Sequence, residues 1–219
     1  MIPENKISNE LIERARVRSS ATLHEAAKKI GALPSAIKPL SPTIRLCGRA
    51  YPVRSPSGDN LWLHHAIYAA DPGDVLVIDV GSEPEFGYWG EVMTVAAQLR
   101  GLAGLVLNGG VRDAQRLLEM NFPVFAWTTC IKGTGKNPSG KGSLGTPIKL
   151  GGSTIARGDL VYGDGDGVVV LPSAHAEAIV TAGEQRDAAE VEIFRRLRSG
   201  ETTLEIYSLP ALTASQELV

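Results

Sequence analysis

The sequence is poor in cysteine and in aromatic residues, and both shortages exclude classes of protein. It contains only two cysteines, Cys47 and Cys130, in 219 residues, and aromatic residues make up 5% of the chain. Two cysteines so far apart match neither a disulfide framework nor the ligand spacing of a zinc site. We expect both to be small buried side chains, and we expect the protein to work in a reducing cytoplasm.

Charge of one sign and long apolar runs are also missing. The formal net charge is −2, from 22 basic and 24 acidic residues, so no basic surface favours a nucleic-acid partner. No apolar run approaches the roughly eighteen residues that a membrane helix needs. The first twenty residues are charged and lack the apolar core of a signal peptide. We therefore expect no membrane span.

What remains is the composition of an ordinary globular protein, with 43% hydrophobic and 21% charged residues. Neither an internal repeat nor a composition shift marks a linker. The sequence therefore predicts one domain over residues 1–219. Its parts are N-terminal helices within 4–30, a core over 43–172, and a C-terminal helix over 173–198 followed by a tail.

Short apolar strands alternate with amphipathic helices in the middle of the chain. The pattern predicts strands at 75–79, 105–107 and 122–125, separated by helices that begin near Glu91 and Arg112. This order is typical of an α/β fold with a central parallel or mixed sheet flanked by helices. In the first of these helices Val92, Val95, Ala96 and Leu99 recur at helical spacing, so we expect them to pack against the sheet.

Two other patterns are clear enough to predict structure. Residues 159–162 and 168–171 enclose Gly-Asp-Gly-Asp-Gly, which is typical of a β-hairpin. Near the N-terminus, residues 20–22 look like a cap for a helix over 23–30 that ends at Gly31.

The candidate site lies between Phe86 and Asp113. Glu91 follows Gly90 at a helix start, and twenty residues later Arg112 and Asp113 follow the Asn-Gly-Gly sequence at 108–110. Both places are strand-to-helix turns, which in an α/β sheet share the edge where ligands bind. Acids in a first helical turn are explained by the helix dipole alone, whereas an arginine there opposes it unless it faces an anionic ligand.

These residue types also suggest a chemistry. Two carboxylates suit a hard divalent cation such as Mg²⁺, and a fixed arginine can stabilise an oxyanion. Glycines at 87, 90, 109 and 110 would let backbone N–H groups approach such a ligand closely. The sequence therefore predicts a metal and anion site here.

Other candidate groups have simpler explanations. The stretch 135–142 resembles a phosphate-binding loop, but residue 142 is Gly where Ser or Thr should be, and no helix pattern follows. On this loop Lys132 and Lys141 are expected to be solvated, while Lys136 is equally compatible with a position in the site and with one in solvent. One of His64 and His65 is expected to pack against the sheet. Asp164 and Asp166 fit a turn, and Glu190 and Glu192 fit the solvated face of the last helix.

The chain resembles the family that contains the regulator of ribonuclease activity A (RraA) and the class II 4-hydroxy-4-methyl-2-oxoglutarate / 4-carboxy-4-hydroxy-2-oxoadipate aldolases. The resemblance covers nearly the whole chain and is carried by ATLHEA at 21–26, DPGDVLVIDVG at 71–81, WGEVMTVAAQLRGLAGLVLNGGVRD at 89–113, KGTGK at 132–136 and GDLVYGDGDGVVVLP at 158–172. An acid followed after twenty residues by Arg-Asp separates the enzymes of the family from its regulators. Here it is Glu91 with Arg112-Asp113.

This resemblance implies a swivelling β/β/α-type fold and assembly into trimers or pairs of trimers with sites between subunits. It implies an Mg²⁺ or Mn²⁺ site at Glu91 and Asp113, Arg112 on the keto oxygen of a pyruvoyl group, and Gly90 with the backbone N–H groups of Val92 and Met93 around its carboxylate. Lys136 would be the family's loop lysine. Glu190 aligns best with an acid that the neighbouring subunit supplies.

The function implied is a metal-dependent pyruvate aldolase that cleaves a 4-hydroxy-2-oxo acid and also decarboxylates oxaloacetate. Two departures bear on the substrate: Asn108 replaces a frequent Asp, and Glu91 replaces the Asp of the best-matched aldolases. Two alternatives stay open, namely a non-enzymatic regulator that binds a protein partner and a class I aldolase with Lys136 as a Schiff base.

Overall fold

The computed structural model describes residues 7–212, so residues 4–6 of the predicted N-terminal helices and the end of the tail lie outside them. The helices are α1 Asn9–Arg16, α2 Ser20–Ala26, α3 Leu61–Ala69, α4 Glu91–Leu99, α5 Ala114–Glu119, α6 Ala176–Arg198 and α7 Thr203–Ile206. The strands are β1 Lys38–Pro39, β2 Leu46–Arg54, β3 Asp74–Asp79, β4 Gly87–Trp89, β5 Gly104–Val111, β6 Val124–Thr129, β7 Ser143–Leu144, β8 Ile148–Leu150, β9 Ser153–Ile155, β10 Leu160–Gly163 and β11 Val168–Leu171.

The main sheet is mixed and nearly closes into a barrel. Its order is β1-β6-β5-β3-β2-β10-β11, with β4 on β5 and β7 on β2. The contacts β2–β3, β3–β5 and β5–β6 are parallel, whereas β1, β10 and β11 pair antiparallel. The chain between α2 and β1 links the two edges, because Ala32 bridges Val169 and Lys38 pairs with Ala126. The predicted α/β fold with a parallel or mixed sheet is confirmed.

Three apolar clusters fill the molecule. One lies between the strands and includes Leu46, Val77 and Phe125. A second joins α3, α4 and α5 to the sheet around Leu63, Met93 and Leu117, and a third joins α1, α2 and α6 to β10 and β11. The second cluster matters for function because it fixes α3 beside α4. No helix within residues 7–212 is long and apolar enough to cross a membrane.

The predicted inner face of α4 is wrong for three of its four residues, since only Ala96 packs against the core. The buried residues of the helix are Met93, Thr94 and Ala97, whereas Val92 is 80% and Leu99 83% exposed, with Val95 also exposed. Thr94 decides the rotation: its hydroxyl accepts from Trp89 Nε1 at 2.7 Å and donates to the Gly90 carbonyl at 3.1 Å. Those bonds turn the hydroxyl inward, on the same face as Met93, and leave Val92, Val95 and Leu99 outside.

Two helix starts differ from prediction. Arg112 precedes α5, and Asp113 is its N-cap with φ +57°, so the arginine does not sit in a first helical turn. Residues 108–110 are not a turn either, because β5 continues to Val111 with a shift in register between Leu107 and Gly110. The second N-terminal helix begins at Ser20 and ends at Ala26, after which Lys28 and Lys29 take positive φ.

Other predictions are confirmed. β10 and β11 form the expected antiparallel hairpin, and Asp164 serves its turn by accepting from Asp166 N and from Ser20. Cys47 is buried, and burial raises the pKa of its thiol to about 12, so it stays protonated near neutral pH. Cys130 is only half-buried, contrary to the expectation for it. The prediction of a single domain stays a prediction.

Candidate functional site

A cavity of about 250 Å³ opens at the carboxyl edge of β4 and β5, beside the start of α4. Its lining residues are Asn60, His64, Gly87, Tyr88, Trp89, Gly90, Val92, Met93, Arg112, Asp113, Gly133, Thr134 and Lys136. The sequence singled out Gly90, Val92, Met93, Arg112, Asp113 and Lys136 from this set. Glu91 and Glu190 are not among the residues that line the cavity within this chain.

The N-terminus of α4 faces this cavity. Asp113 Oδ2 accepts from the backbone N–H of Glu91 at 3.0 Å, so a side chain from the next strand-to-helix connection caps the helix. Among the described residues, the next two N–H groups, those of Val92 and Met93, have no hydrogen-bond acceptor. Free N–H groups at the positive end of a helix form a site for an anion such as a carboxylate.

Gly90 and Gly87 allow this close approach. A Cβ on Gly90 would lie 2.5 Å from Asp113 Oδ2 and 3.1 Å from Arg112 Cγ. A Cβ on Gly87 would lie 2.5 Å from the Cys130 carbonyl and 3.2 Å from Arg112 Cβ. The two glycines are therefore needed for packing around Arg112 and Asp113, and the N–H of Gly87 is used by the carbonyl of Lys132 and not by a ligand.

Arg112 and Asp113 are held by their backbone. Arg112 N donates to the Trp89 carbonyl at 2.8 Å, which ties the end of β5 to the end of β4. Asp113 has a left-handed backbone conformation, which aspartate tolerates better than most residues and which clusters at functional sites. The Arg112 side chain is half-exposed, with its Nε 3.9 Å from Asp113 Oδ2, so its guanidinium keeps donors available.

Glu91 turns away from the cavity. Its Oε1 lies 3.6 Å from Nε of Arg116, which also binds Glu119 at 2.8 Å. Within residues 7–212 no group of three or more His, Cys, Asp and Glu could hold a metal ion. The carboxylates available near the cavity are thus Asp113 in its wall and Glu91 beside it.

Lys136 comes to the cavity on a loop that Asp59 holds. The buried Asp59 accepts from Leu61 N at 2.8 Å and from Asn137 N at 2.5 Å. Gly135 adds two backbone bonds, to Gly58 and from Asn60. Asp59 therefore joins the start of α3 to the residue after Lys136, a function that the sequence analysis missed.

Asn60, the N-cap of α3, and His64 within α3 also line the cavity, although neither is predicted as a site residue from the sequence. His64 lines the cavity and His65 is exposed, so neither packs against the sheet as expected. Burial, followed by the charges of Lys136 and His65, lowers the pKa of His64, and its imidazole is therefore neutral near pH 7. The signal was the four-residue spacing, which places Asn60 and His64 on one side of a helix.

The cavity is electropositive as a result. Its wall carries two cations, Arg112 and Lys136, and a single anion, Asp113, while the imidazole of His64 is neutral. The hydroxyl of Tyr88 is engaged, because it donates to the Glu83 carbonyl at 2.6 Å and accepts from Gly58 N at 2.9 Å. The arrangement fits a small anion with several acceptor oxygens.

The remaining candidates lie elsewhere. Asn108 accepts from Val80 N at 2.8 Å and donates to Asp79 at 2.9 Å, so it fastens β5 to β3. Lys132 covers the ring of Phe86 at 3.7 Å, and Lys141 is exposed as expected. Glu190 pairs with Arg186 at 3.4 Å on α6; its predicted role in a neighbouring subunit's site stays a prediction.

Comparison with known proteins identifies relatives of this fold and site. The model of the RraA-like family, described as Aldolase/RraA, matches residues 20–170. A protein of Halalkalibacterium halodurans named "Putative 4-hydroxy-4-methyl-2-oxoglutarate aldolase" is 35% identical over 179 residues, which cover 82% of this chain and 84% of the relative.

Two solved structures show the same architecture. An uncharacterized protein from Pseudomonas syringae pv. tomato superposes with a TM-score of 0.81 at 26% identity, covering 90% of this chain and 92% of the other. The RNA-processing inhibitor RraA from Thermus thermophilis superposes with a TM-score of 0.63 at 27% identity, covering 70% and 92%. Because the family model covers residues 20–170 and a 35% identical relative matches over most of both chains, this chain belongs to the RraA-like family.

Proposed function

We propose that the protein is a divalent-metal-dependent class II pyruvate aldolase. It cleaves a 4-hydroxy-2-oxo diacid such as 4-hydroxy-4-methyl-2-oxoglutarate or 4-carboxy-4-hydroxy-2-oxoadipate, and it decarboxylates oxaloacetate through the same enolate. The observation that carries the proposal is the meeting of Arg112 and Asp113 with two free backbone N–H groups of α4 in one electropositive cavity. The name of the relative from H. halodurans supports the same substrate class.

The pyruvoyl half of the substrate fits the start of α4. Its carboxylate accepts from the N–H groups of Val92 and Met93, and the absence of a side chain on Gly90 leaves room beside them. Arg112 donates to the keto oxygen and stabilises the negative charge that develops there. Lys136 faces the same cavity and adds a second cation for the distal carboxylate.

Asp113 and Glu91 fit a hydrated Mg²⁺ or Mn²⁺. Mg²⁺ is commonly bound through one or two carboxylates and keeps several waters, and these two carboxylates belong to adjacent connections joined by the bond from Glu91 N to Asp113. Asp113 would hold the ion at the cavity wall, and Glu91 would support it directly or through water. When bound, the ion supplies Lewis-acid polarisation of the keto group.

The aldol cleavage breaks the C3–C4 bond of the substrate. The 4-hydroxyl proton leaves to a water acting as base, the O–H electron pair forms the new carbonyl, and the C3–C4 pair moves into a pyruvate enolate whose oxygen Arg112 faces. Protonation at C3 then gives pyruvate and a second keto acid. From oxaloacetate the leaving fragment is CO₂, so no hydroxyl proton has to be removed.

The test is pyruvate release by the purified protein from oxaloacetate and from 4-hydroxy-4-methyl-2-oxoglutarate, with Mg²⁺ or Mn²⁺, with EDTA, and in the Arg112→Ala variant. We expect metal-dependent release and a loss of about a hundredfold or more in kcat for the variant. Arg157→Ala is the matched control, because that arginine pairs with Asp71 at 3.3 Å and does not line the cavity. Pyruvate release that is unchanged by EDTA, or unchanged in the Arg112→Ala variant, contradicts the proposal.

Two other functions make different predictions. A regulator like the RNA-processing inhibitor RraA, which shares this architecture, would release no pyruvate from either substrate. A class I aldolase would be trapped by borohydride on Lys136 in the presence of pyruvate; the exposure of Lys136 argues against this, because a Schiff-base lysine is usually desolvated. We further propose a cytoplasmic homo-oligomer, a trimer or a pair of trimers, in which Glu190 serves a neighbouring site.

A further inference from the structure

Asn60 lies in the wall of the cavity, and its amide carries a buried hydrogen-bond acceptor without a partner among the described residues. It is the N-cap of α3, it lines the cavity, and it is only 6% exposed. Its Nδ2 donates to the Tyr88 carbonyl at 3.0 Å and lies 3.7 Å from Met93 Sδ. Its Oδ1 is buried and has no hydrogen bond to any described residue.

The orientation of this amide is fixed by its neighbours. Exchanging Oδ1 and Nδ2 would place an oxygen against the Tyr88 carbonyl and a thioether, both of which only accept hydrogen bonds. Asn60 therefore presents an acceptor and no free donor on its second side. Buried acceptors without a partner are rare in folded proteins and call for a group that is missing from the chain alone.

Several other polar groups around the cavity have the opposite character, whereas Asp113, like Asn60, offers acceptor oxygens. The Arg112 guanidinium, the Lys136 ammonium and the free N–H groups of α4 are donors, which suit the carboxylate and keto oxygens of a 2-oxo acid. An ionised 4-hydroxy-2-oxo diacid has a single donor, which is its 4-hydroxyl group. Oxaloacetate in its keto form has none.

We propose that Asn60 is a specificity-determining residue whose Oδ1 accepts a hydrogen bond from the 4-hydroxyl of the bound substrate. The inference rests on the proposed function and deepens it, because 4-hydroxy-2-oxo acids, and not oxaloacetate, carry the donor that the buried oxygen of Asn60 lacks. A site built to bind a hydroxyl discriminates against analogues without one, since its own polar group is then left unpaired.

Asn60 acts on binding and not on proton transfer. An amide does not take the hydroxyl proton, which leaves to the base as the C3–C4 bond breaks, so the hydrogen bond belongs to the bound substrate. Its removal is therefore expected to raise KM for the hydroxylated substrate without lowering kcat. A purely structural role of Asn60 would lower activity toward both substrates together.

The experiment compares Asn60→Leu with Asn60→Asp in the metal-loaded enzyme. Both variants lose Nδ2, the donor to Tyr88, but only aspartate keeps an acceptor oxygen in place of Oδ1. The readout is the ratio of KM for 4-hydroxy-4-methyl-2-oxoglutarate to KM for oxaloacetate, so that general repulsion of anions by aspartate cancels. We expect the ratio to rise about tenfold in Asn60→Leu and to stay near the wild-type value in Asn60→Asp.

An unchanged ratio in Asn60→Leu, or an equal rise in both variants, would overturn the inference and assign Oδ1 to an internal water. If Asn60→Leu does not fold, as judged by circular dichroism, the smaller Asn60→Ala replaces it in the same comparison. Failure of the proposed function looks different, because the wild-type protein would then release pyruvate from neither substrate.

Discussion

At Gly90 the lack of a side chain decides whether Asp113 and Arg112 can reach the start of α4. We expect Gly90→Ala to push Asp113 off the Glu91 N–H, since the new Cβ would lie 2.5 Å from Oδ2. Crowding of this kind costs about 1–3 kcal/mol, and displacement of the arginine by about 1 Å is expected to lower kcat/KM about a hundredfold. Chemical denaturation and pyruvate release measure the two effects.

Gly133→Ala is the matched control for this substitution. Gly133 also lines the cavity, but a Cβ there meets no atom within 4 Å. Its stability and activity should stay close to wild type. If both alanine variants lose activity equally, crowding at Gly90 is not the cause.

Some residues of the site can be recognised from the sequence, and others cannot. Glu91, Arg112 and Asp113 carry a local signal, because each lies at a strand-to-helix connection and an arginine there is unusual. Asp59 carries none, and Asn60 carries only its spacing to His64. Both look like an ordinary turn before a helix, and their roles depend on Asn137 and Tyr88, 78 and 28 residues away. Only the tertiary structure brings such pairs together.

At the scale of elements, Asp59 couples α3 to the loop over residues 132–142 that carries Lys136. Asp59→Ala leaves Leu61 N and Asn137 N without their acceptor, so we expect a loss of about 1–3 kcal/mol in the free energy of unfolding. We also expect faster trypsin cleavage at the loop lysines and a higher KM for the dianionic substrate. Limited proteolysis with mass spectrometry and steady-state kinetics provide the measurements.

Asp164→Ala separates this coupling from stability alone. Asp164 accepts from Ser20 at the start of α2, in a different part of the molecule. Its loss should lower stability without speeding cleavage of the loop or changing KM. Equal cleavage of the loop in both variants would show that general destabilisation, and not the contact with Asn137, is responsible.

Helices and strands are predicted correctly where the sequence pattern is compatible with only one kind of element. The strand at 75–79 is apolar up to Asp79 and bounded by turn residues, and it lies buried in the middle of the sheet. The predicted inner face of α4 is wrong because the spacing of apolar residues defines a stripe on the helix but does not show which surface that stripe contacts. A hydroxyl bonded to Trp89 and Gly90 outweighs the two valines, which are left at the surface.

At the scale of the whole molecule, the described residues 7–212 of a single chain expose two apolar surfaces. One is the outer face of α4 with Val92, Val95 and Leu99, next to the cavity; the other runs along the second half of α6 and the residues after it, with Val191, Phe194, Leu197, Leu204 and Tyr207. Apolar surface of this extent marks contact with another molecule. The net charge of −2 gives copies of the chain little mutual repulsion.

Two different surfaces on one chain favour a ring, in which one surface of each copy meets the other surface of the next. In such a ring, α6 and with it Glu190 would lie at a neighbour's α4 and cavity, which is the arrangement that the proposed trimer requires. We therefore expect Leu99→Glu and Phe194→Glu each to give a folded monomer by light scattering, with pyruvate release reduced in both. Val17→Glu, a change of the same kind at the exposed residue that caps the end of α1, should leave assembly intact. If either interface variant stays assembled, that surface does not join the copies, and Glu190 loses its route to the neighbouring site.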